Sequence, residues 1–179
     1  MKPIRIIDVV KAVKAIDYSS PNRFAEITRV VFDSREAGID SLFVPLKGET
    51  DGHDYIQSAI KNGATAALWS RPESEAPDDI AIILVDDTLT ALQDLAKYYL
   101  NEIKPKVVAI TGSNGKTTTK DMTAAVLNAK FNVHKTKGNY NNEIGLPFTI
   151  LEMPEETEIL VLEMGMSGPG EISFLSQLA

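Results

Sequence analysis

Short apolar runs alternate with polar turns in the first half of the chain, and this pattern changes after a proline at residue 105. Runs with the length and composition of strands lie at residues 27–32, 41–46, 66–69 and 81–85. Helical patterns lie at residues 4–16, at 55–61 and after Thr88, which can cap a helix carrying Leu89, Leu92, Leu95, Ala96 and Tyr99 on one face. The first half therefore predicts a small mixed α/β unit.

A domain boundary is predicted at residues 101–105, where an amphipathic helix ends and a proline precedes a new pattern. The second half alternates strands with helices, which predicts a parallel α/β sheet. Its predicted strands are 106–111 (fully buried), 132–135 and 158–162, and its predicted helices are 116–130, a segment within 142–152, and 171–178. A complete doubly wound domain usually has about five strands or more. We therefore expect one domain at residues 1–102 and the incomplete first part of a second at 103–179.

Charge and composition narrow the class of protein. Eighteen Lys and Arg residues against 25 Asp and Glu give a net charge of −7, which argues against broad binding to a nucleic-acid backbone. The absence of cysteine excludes disulfides, thiolate metal sites and cysteine nucleophiles. No apolar run approaches the roughly 20 residues of a membrane helix, and residues 1–10 lack the pattern of a signal peptide. We expect a soluble cytoplasmic protein that binds no nucleic acid and does not insert into a membrane.

A glycine-rich loop at residues 111–118, with the sequence TGSNGKTT, joins a predicted strand to a predicted helix. Gly112 and Gly115 allow the backbone N–H groups to wrap around a phosphate, and the helix N-terminus adds partial positive charge. In such a loop Lys116 would bind the β- and γ-phosphates, and the Thr117 hydroxyl would bind Mg²⁺. The loop is predicted to bind the phosphates of a nucleotide.

The spacing of this loop differs from the standard Walker A pattern, which has four residues between its first glycine and Gly-Lys. Here only Ser113 and Asn114 intervene. The alternative is a glycine turn at a strand–helix junction with an incidental lysine, and the agreement of strand, loop and helix argues against it.

Glu163 follows the second buried strand of this half. The carboxyl ends of parallel strands meet at one edge of a sheet, where open α/β sheets bind ligands. Glu163 would therefore lie near the glycine-rich loop and could hold Mg²⁺ opposite Thr117. The alternative is a solvated acid at a strand end.

Three asparagines, Asn139, Asn141 and Asn142, lie within four residues of a predicted loop. Asparagine supplies both donors and acceptors, so the loop could line a polar site. The alternative is an Asn-rich turn that caps a helix, and composition alone slightly favours that alternative. We interpret His134 as a structural residue.

These motifs together resemble the Mur ligase family. The TGSNGKTT loop is similar to the family's nucleotide loop, which has the same shortened spacing. The runs GNYNNEIG at 138–145 and LEMGM at 162–166 resemble the member that adds D-alanyl-D-alanine to a UDP-MurNAc-tripeptide. In the first half, DSR at 33–35, LFVPLKG at 42–48 and DGH at 51–53 are similar to the family's uridine-nucleotide-binding domain.

The resemblance implies an ATP-dependent ligase of peptidoglycan precursor synthesis, and so of cell-wall biogenesis, cell shape and cell division. ATP would phosphorylate the terminal carboxylate of the UDP-MurNAc-tripeptide. The amine of D-alanyl-D-alanine would then attack the acyl phosphate, and ADP and phosphate would be released. The implied cofactors are ATP and Mg²⁺. The resemblance also implies a monomeric bacterial protein that is located in the cytoplasm and contains a P-loop domain.

The resemblance also implies roles for particular residues. Lys116 would be catalytic, and Thr117 and Glu163 would bind the metal. ATP would be bound by Gly112, Ser113, Asn114, Gly115, Lys116, Thr117 and Thr118. The UDP part of the substrate would be bound by Ser34, Arg35, Lys47, Gly48, Asp51 and His53. Asn139, Asn141 and Asn142 would lie near the nucleotide or the substrate.

Family members are more than twice this length, so the resemblance implies that the rest of the ATP-binding domain and the C-terminal domain are absent here. A polypeptide of these residues alone is therefore expected to be inactive in ligation. Two other functions remain open. One is the related ligase that adds a diamino acid or lysine, and the other is a non-catalytic nucleotide-binding module. A folylpolyglutamate synthase is disfavoured because that enzyme lacks the uridine domain.

Overall fold

A computed structural model describes residues 1–22 and 24–179. The strands of these residues are β1 (Ile4–Arg5), β2 (Asp17–Ser19), β3 (Glu26–Ile27), β4 (Arg29–Val31), β5 (Ser41–Phe43), β6 (Ala66–Trp69), β7 (Ala81–Leu84), β8 (Lys106–Ile110), β9 (Val133–Lys135) and β10 (Ile159–Glu163). The helices are α1 (Ile6–Ala12), α2 (Ile56–Lys61), α3 (Thr88–Ile103), α4 (Lys116–Leu127), α5 (Gly145–Leu151) and α6 (Glu171–Ser176). None of these helices is long and apolar enough to cross a membrane.

The chain packs as two compact units, residues 2–95 and residues 96–179 with Met1, and the division falls within α3. The first unit contains a five-stranded sheet in the order β2-β7-β6-β5-β4. Strands β4 to β7 are parallel, and β2 is antiparallel to β7. A separate short ladder joins β1 to β3. Because β4 to β7 are parallel, the loops after them lie at one edge of the sheet.

Both faces of the central strands in this sheet are buried. On one face, Phe43, Trp69 and Ile82 pack in a cluster that includes Ile56 and Ala59 of α2. On the other face, the alternate residues of the same strands are buried as well: Leu42, Leu68 and Ile83. Burial on both faces explains why these strands read as nearly continuous apolar runs in the sequence.

The second unit contains a three-stranded parallel sheet in the order β8-β10-β9. All five residues of the central strand β10 are buried. Helix α4 covers one face through Ala124, which clusters with Ile159 and Val161. The predicted α/β class, with parallel strands in the second half, is confirmed.

Strand β8 differs from its prediction. The sequence predicts a fully buried strand, but all five residues of β8 are exposed or only partly buried, and Val107 is 36% exposed. In the described chain β8 is the edge strand of its sheet, with β10 as its neighbour. The prediction of a strand is therefore confirmed, but the prediction that this strand is fully buried is wrong.

The start of the chain also differs. Instead of one helix over residues 4–16, Ile4 pairs with Ile27 in the ladder of β1 and β3, and α1 begins only at Ile6. That ladder also divides the predicted strand 27–32, because Ile27 pairs with β1 whereas Arg29–Val31 pairs with β5.

The start of α3 is capped by Asp87 and not by Thr88. The Asp87 carboxylate accepts hydrogen bonds from the backbone N–H and the hydroxyl of Thr90, at 2.7 and 2.8 Å. Thr88 is buried, and its hydroxyl donates to the carbonyl of Pro45 at 2.6 Å. The predicted cap was wrong because a neighbouring carboxylate takes that role.

Candidate functional site

The glycine-rich loop lies between the end of β8 and the start of α4 in the second unit. Gly115 has a φ of +76°, in the left-handed region where a side chain is disfavoured, and α4 begins at the next residue. This turn leaves the first N–H groups of α4 free to bind an anion at the helix N-terminus. Lys116 is partly buried, and its Nζ donates to the carbonyl of Gly112 at 2.7 Å. The other residues of the predicted ATP site are exposed: Gly112, Ser113, Asn114, Gly115, Thr117 and Thr118.

Glu163 lies at the same edge of the sheet as this loop. It is the last residue of β10 and pairs with Ile110, the last residue of β8, in a parallel register. Glu163 is 3% exposed, so it is not the solvated acid of the alternative interpretation. The structure therefore brings Glu163 and the glycine-rich loop together, as the sequence predicts.

Two neighbours fix the Glu163 side chain and backbone. Asn141 donates from Nδ2 to Oε1 of Glu163 at 2.9 Å, and the Glu163 backbone N–H donates to the Thr136 hydroxyl at 3.0 Å. The other carboxylate oxygen, Oε2, is buried and has no hydrogen-bond partner among the described residues. A buried anionic oxygen without a hydrogen bond is costly unless a cation compensates it.

A second lysine, Lys120, approaches this oxygen, although no sequence motif points to it. The Nζ of Lys120 lies 3.7 Å from Oε2 of Glu163, and both side chains are 3% exposed. Lys120 follows Lys116 by one helical turn, so the two lysines lie on the same face of α4. That spacing was the available signal, but a lysine in a polar helix is usually solvated.

The three asparagines have different positions. Asn141 contacts Glu163, as described above. Asn142 caps α5, because its side-chain oxygen accepts the N–H of Gly145 at 2.9 Å. Asn139 is exposed, and its carbonyl accepts the N–H of Asn141 at 2.7 Å. The helix-capping interpretation is therefore confirmed for Asn142, and the interpretation of a loop that lines a ligand site stays a prediction.

Two close approaches hold the asparagine loop beside Glu163. A Cβ atom on Gly145 would lie against Cα of Tyr140 and 2.6 Å from its carbonyl carbon. A Cβ atom on Gly165 would lie 2.9 Å from Cγ of Asn141, and the Gly165 N–H donates to the Asn141 carbonyl at 2.9 Å. Only glycine allows the backbone to approach this closely.

The oxygen atoms at this edge are suitable for a hard divalent cation. Glu163 offers the carboxylate oxygen Oε2, and Thr117 at the start of α4 offers a hydroxyl. The described residues contain no cluster of three or more His, Cys, Asp or Glu side chains that could hold a metal alone. This donor set fits Mg²⁺, which typically takes one or two protein oxygens and completes its shell with water and phosphate.

In the first unit, the predicted uridine-site residues follow β4 and β5 at the carboxyl edge of the sheet. Ser34 and Arg35 line a cavity of about 560 Å³ together with Phe32, Asp33, Tyr55 and Ser58. Lys47 and Gly48 are exposed in the turn after β5 and do not line this cavity. The hydrogen bonds from Arg35 hold the pKa of the Asp33 carboxyl at about 2, so this carboxyl is ionised at neutral pH.

His53 and Asp51 form a fixed network beside this edge. The ring of His53 is buried, its Nδ1 lies 2.6 Å from Oδ1 of Asp51, and its Nε2 accepts the N–H of Ser70 at 3.1 Å. Because Nε2 accepts, the ring proton of neutral His53 lies on Nδ1 and points at Asp51. His53 therefore lies in the interior, with a hydrogen-bond partner at each ring nitrogen.

Asp51 is also paired with Arg71, at 2.8 Å between Nη2 and Oδ2. Burial opposes the ionisation of Asp51, but the hydrogen bonds from His53 and Arg71 outweigh it and hold the pKa of this carboxyl well below its usual range. The charge of Asp51 therefore stabilises the turn after β5.

Taken as a whole, the second unit has the arrangement of a phosphate-binding α/β protein, with a glycine-rich loop after one parallel strand and a buried acid after the next. Comparison with models of protein families shows which family has this arrangement. Residues 26–100 match the model described as "Mur ligase family, catalytic domain", and residues 110–179 match the Mur ligase middle domain. The chain belongs to the Mur ligase family and carries its N-terminal and middle domains.

Individual relatives agree with this assignment. The chain is 58% identical over 151 residues to the UDP-N-acetylmuramoyl-tripeptide–D-alanyl-D-alanine ligase of Bacillus subtilis, covering 84% of this chain and 33% of that relative. A crystal structure of MurF from Acinetobacter baumannii matches with a TM-score of 0.91 at 34% identity, over 99% of this chain and 39% of that one. The MurF ligase of Thermotoga maritima in complex with ADP matches with a TM-score of 0.75 at 42% identity, over 84% and 35% of the two chains. The chain spans about a third of the length of the curated relatives it matches.

We expect Gly145→Ala to destabilise the second unit. The new methyl group would meet the backbone of Tyr140, which cannot move as a flexible side chain would, and such overpacking costs about 1–3 kcal/mol. Urea unfolding followed by circular dichroism measures the effect. Gly168→Ala is the matched control, because its Cβ would meet only the Glu171 side chain at 3.4 Å. Equal stability of the two variants would contradict the close approach.

We expect Asp51→Asn to lower stability at neutral pH by about 1–3 kcal/mol. The depressed pKa means that the contribution of Asp51 is complete above about pH 4, the ordinary pKa of an aspartate, and is lost as the pH falls further. The difference between wild type and variant should therefore shrink below pH 4 in urea unfolding at stepped pH. Asp54→Asn is the control, because Asp54 pairs with the same Arg71 but is 60% exposed, and it should change stability by less than about 1 kcal/mol. A constant difference from pH 7 to pH 2 would disprove the role of the Asp51 charge.

Proposed function

We propose that this chain forms the substrate-binding and nucleotide-binding part of a bacterial ligase that joins D-alanyl-D-alanine to UDP-MurNAc-tripeptide. The observation that carries the proposal is the glycine-rich loop after β8 beside the buried Glu163 after β10. The 58% identity to a relative of that name supports the choice of substrate. The proposed domains are residues 1–102 for the UDP part of the substrate and 103–179 for the first part of the ATP site.

In this proposal the loop from Gly112 to Thr118 holds the phosphates of ATP. Lys116 now donates to the Gly112 carbonyl, and it would exchange this neutral acceptor for phosphate oxygens when ATP binds. A charged acceptor makes the stronger hydrogen bond. The N–H groups at the start of α4 would add further donors to the phosphates.

Thr117 and Glu163 would hold Mg²⁺ beside the phosphates, and the unpartnered Oε2 of Glu163 supports this role. When bound, the ion would offset the negative charge of the phosphates. Asn141 would keep Glu163 in position through its 2.9 Å hydrogen bond. Asn139 and Asn142 stay in the proposal as neighbours of the nucleotide loop, and Asn142 also caps α5.

The proposed reaction has two steps. A terminal carboxylate oxygen of the tripeptide attacks the γ-phosphorus of ATP, the bond to the β-phosphate oxygen breaks, and ADP leaves. The amine of D-alanyl-D-alanine then attacks the acyl phosphate carbon, a tetrahedral intermediate collapses, and phosphate leaves as the amide forms and the amine loses a proton. Lys116 would reduce the repulsion between the carboxylate and the γ-phosphate, which are both anions.

The first unit would bind the UDP part of the substrate at the carboxyl edge of its sheet. Ser34 and Arg35 line the cavity there, and Lys47 and Gly48 are exposed in the next turn. Asp51 and His53 would act by fixing that turn, because His53 is buried and bonded to Asp51. The remaining parts of the proposal are a monomeric state and a cytoplasmic location.

The ligation proposal is tested with the protein expressed from its own reading frame. With ATP, Mg²⁺ and UDP-MurNAc-tripeptide, we expect phosphate release only when D-alanyl-D-alanine is added. Lys116→Ala should lower the rate by at least about a hundredfold, as expected for the loss of a charge that stabilises phosphoryl transfer. Lys130→Ala is the control: Lys130 follows the end of α4 and is exposed, so the rate should be unchanged.

The same assay separates the alternatives. Release with a diamino acid or lysine in place of D-alanyl-D-alanine would identify the related ligase, and ADP binding without release for any acceptor would favour a non-catalytic module. Failure of the protein to bind ADP at all would overturn the nucleotide site itself.

We expect a polypeptide of residues 1–179 alone to form no amide. The chain covers only 33% of its B. subtilis relative, and the described residues contain no cluster of three or more His, Cys, Asp or Glu side chains that could hold a metal. Mass spectrometry of the reaction mixture measures the product. Detection of the ligated product with this polypeptide would contradict the expectation.

A further inference from the structure

Lys120 is unusually buried for a lysine on a polar stretch of helix. It lies on α4 among threonines and charged residues, yet it is 2% exposed, whereas Met122 and Val126 on the same helix are 66% and 75% exposed. Burying a lysine is unfavourable unless its charge is compensated. The burial of Lys120 therefore needs an explanation.

Two carboxylates face the ammonium group of Lys120. The Nζ lies 3.7 Å from Oε2 of Glu163 and 3.7 Å from Oδ1 of Asp121. Asp121 is 51% exposed and is paired more closely with Lys135, at 2.6 Å. Glu163 is buried like Lys120 itself, so the interaction between Lys120 and Glu163 is the less screened of the two.

The orientation of the Glu163 carboxylate agrees with this pairing. Asn141 holds Oε1 at 2.9 Å, which leaves Oε2 directed at Lys120 without a hydrogen bond among the described residues. At 3.7 Å the ammonium compensates the charge of this oxygen without a close hydrogen bond. The charge of Oε2 is thus compensated by Lys120, while its hydrogen-bonding capacity is unused among the described residues.

We propose that Lys120 is a positioning residue that compensates the Glu163 carboxylate while no divalent cation is bound. A cation that binds Oε2 must do so beside a fixed positive charge. Lys120 therefore raises the Mg²⁺ concentration needed to fill the nucleotide site and couples filling of the metal position to the arrival of the nucleotide phosphates. This inference rests on the proposed nucleotide and Mg²⁺ site.

The test measures binding of a fluorescent ADP analogue at stepped free Mg²⁺, from excess EDTA to 20 mM, with the protein expressed from its own reading frame. We expect Lys120→Met to lower the Mg²⁺ concentration at half-maximal binding by about threefold to tenfold, because one neighbouring positive charge is removed. Lys120→Arg retains the charge and should stay within about twofold of wild type. An unchanged or raised midpoint for Lys120→Met would overturn the proposal.

Lys135→Met is the matched control. Lys135 pairs with the same Asp121 carboxylate at 2.6 Å, so its loss removes an equal charge near α4 without touching Glu163. Its Mg²⁺ midpoint should match that of wild type. A shift as large as that of Lys120→Met would show a general effect of charge and would overturn the specific role of Lys120.

One further variant covers the case in which Lys120→Met does not fold. The double variant Lys120→Met with Glu163→Gln leaves no unpaired buried charge, so it should fold even if the single variant does not. If neither folds, Lys120 acts through packing and the proposal is wrong. Failure of wild type to bind the ADP analogue at any Mg²⁺ concentration would instead refute the proposed nucleotide site, which separates the two outcomes.

Discussion

A buried carboxylate at the end of a strand organises the candidate site of the second unit. Two neighbours compensate the Glu163 carboxylate in the interior: Asn141 donates to one oxygen, and the ammonium of Lys120 faces the other. The position of Asn141 depends in turn on glycine, because Gly145 and Gly165 let the asparagine loop approach the strand. The register of β10 on β8 then sets this charge beside the phosphate-binding loop.

Much of the fold could be predicted from hydrophobic periodicity. The predicted strand at residues 66–69 and the predicted helix at 55–61 closely match β6 and α2, because their apolar residues form a local pattern in the core. Two of the errors come from partners distant in sequence. The pairing of Ile4 with Ile27 is invisible to periodicity, and the exposure of β8 depends on which strands lie beside it.

The parts of the candidate site that follow from a motif or from strand order could be predicted from the sequence. The parts that depend on tertiary packing could not. The glycine-rich loop and Glu163 follow from a strand–loop–helix order and from the rule that parallel strands end at one edge. The asparagines could not be separated, because residue type alone does not show that Asn141 reaches Glu163 while Asn142 caps α5. Lys120 was missed because its burial depends on a carboxylate 43 residues away in sequence.

The contact between Asn141 and Glu163 also makes this site sensitive to deamidation of Asn141. Deamidation would turn Asn141 into an aspartate of almost the same shape and replace its N–H donor with a second negative oxygen. Two carboxylates at the present separation of 2.9 Å repel each other strongly. The spontaneous hydrolysis of one amide would therefore replace an attraction at this site by a repulsion.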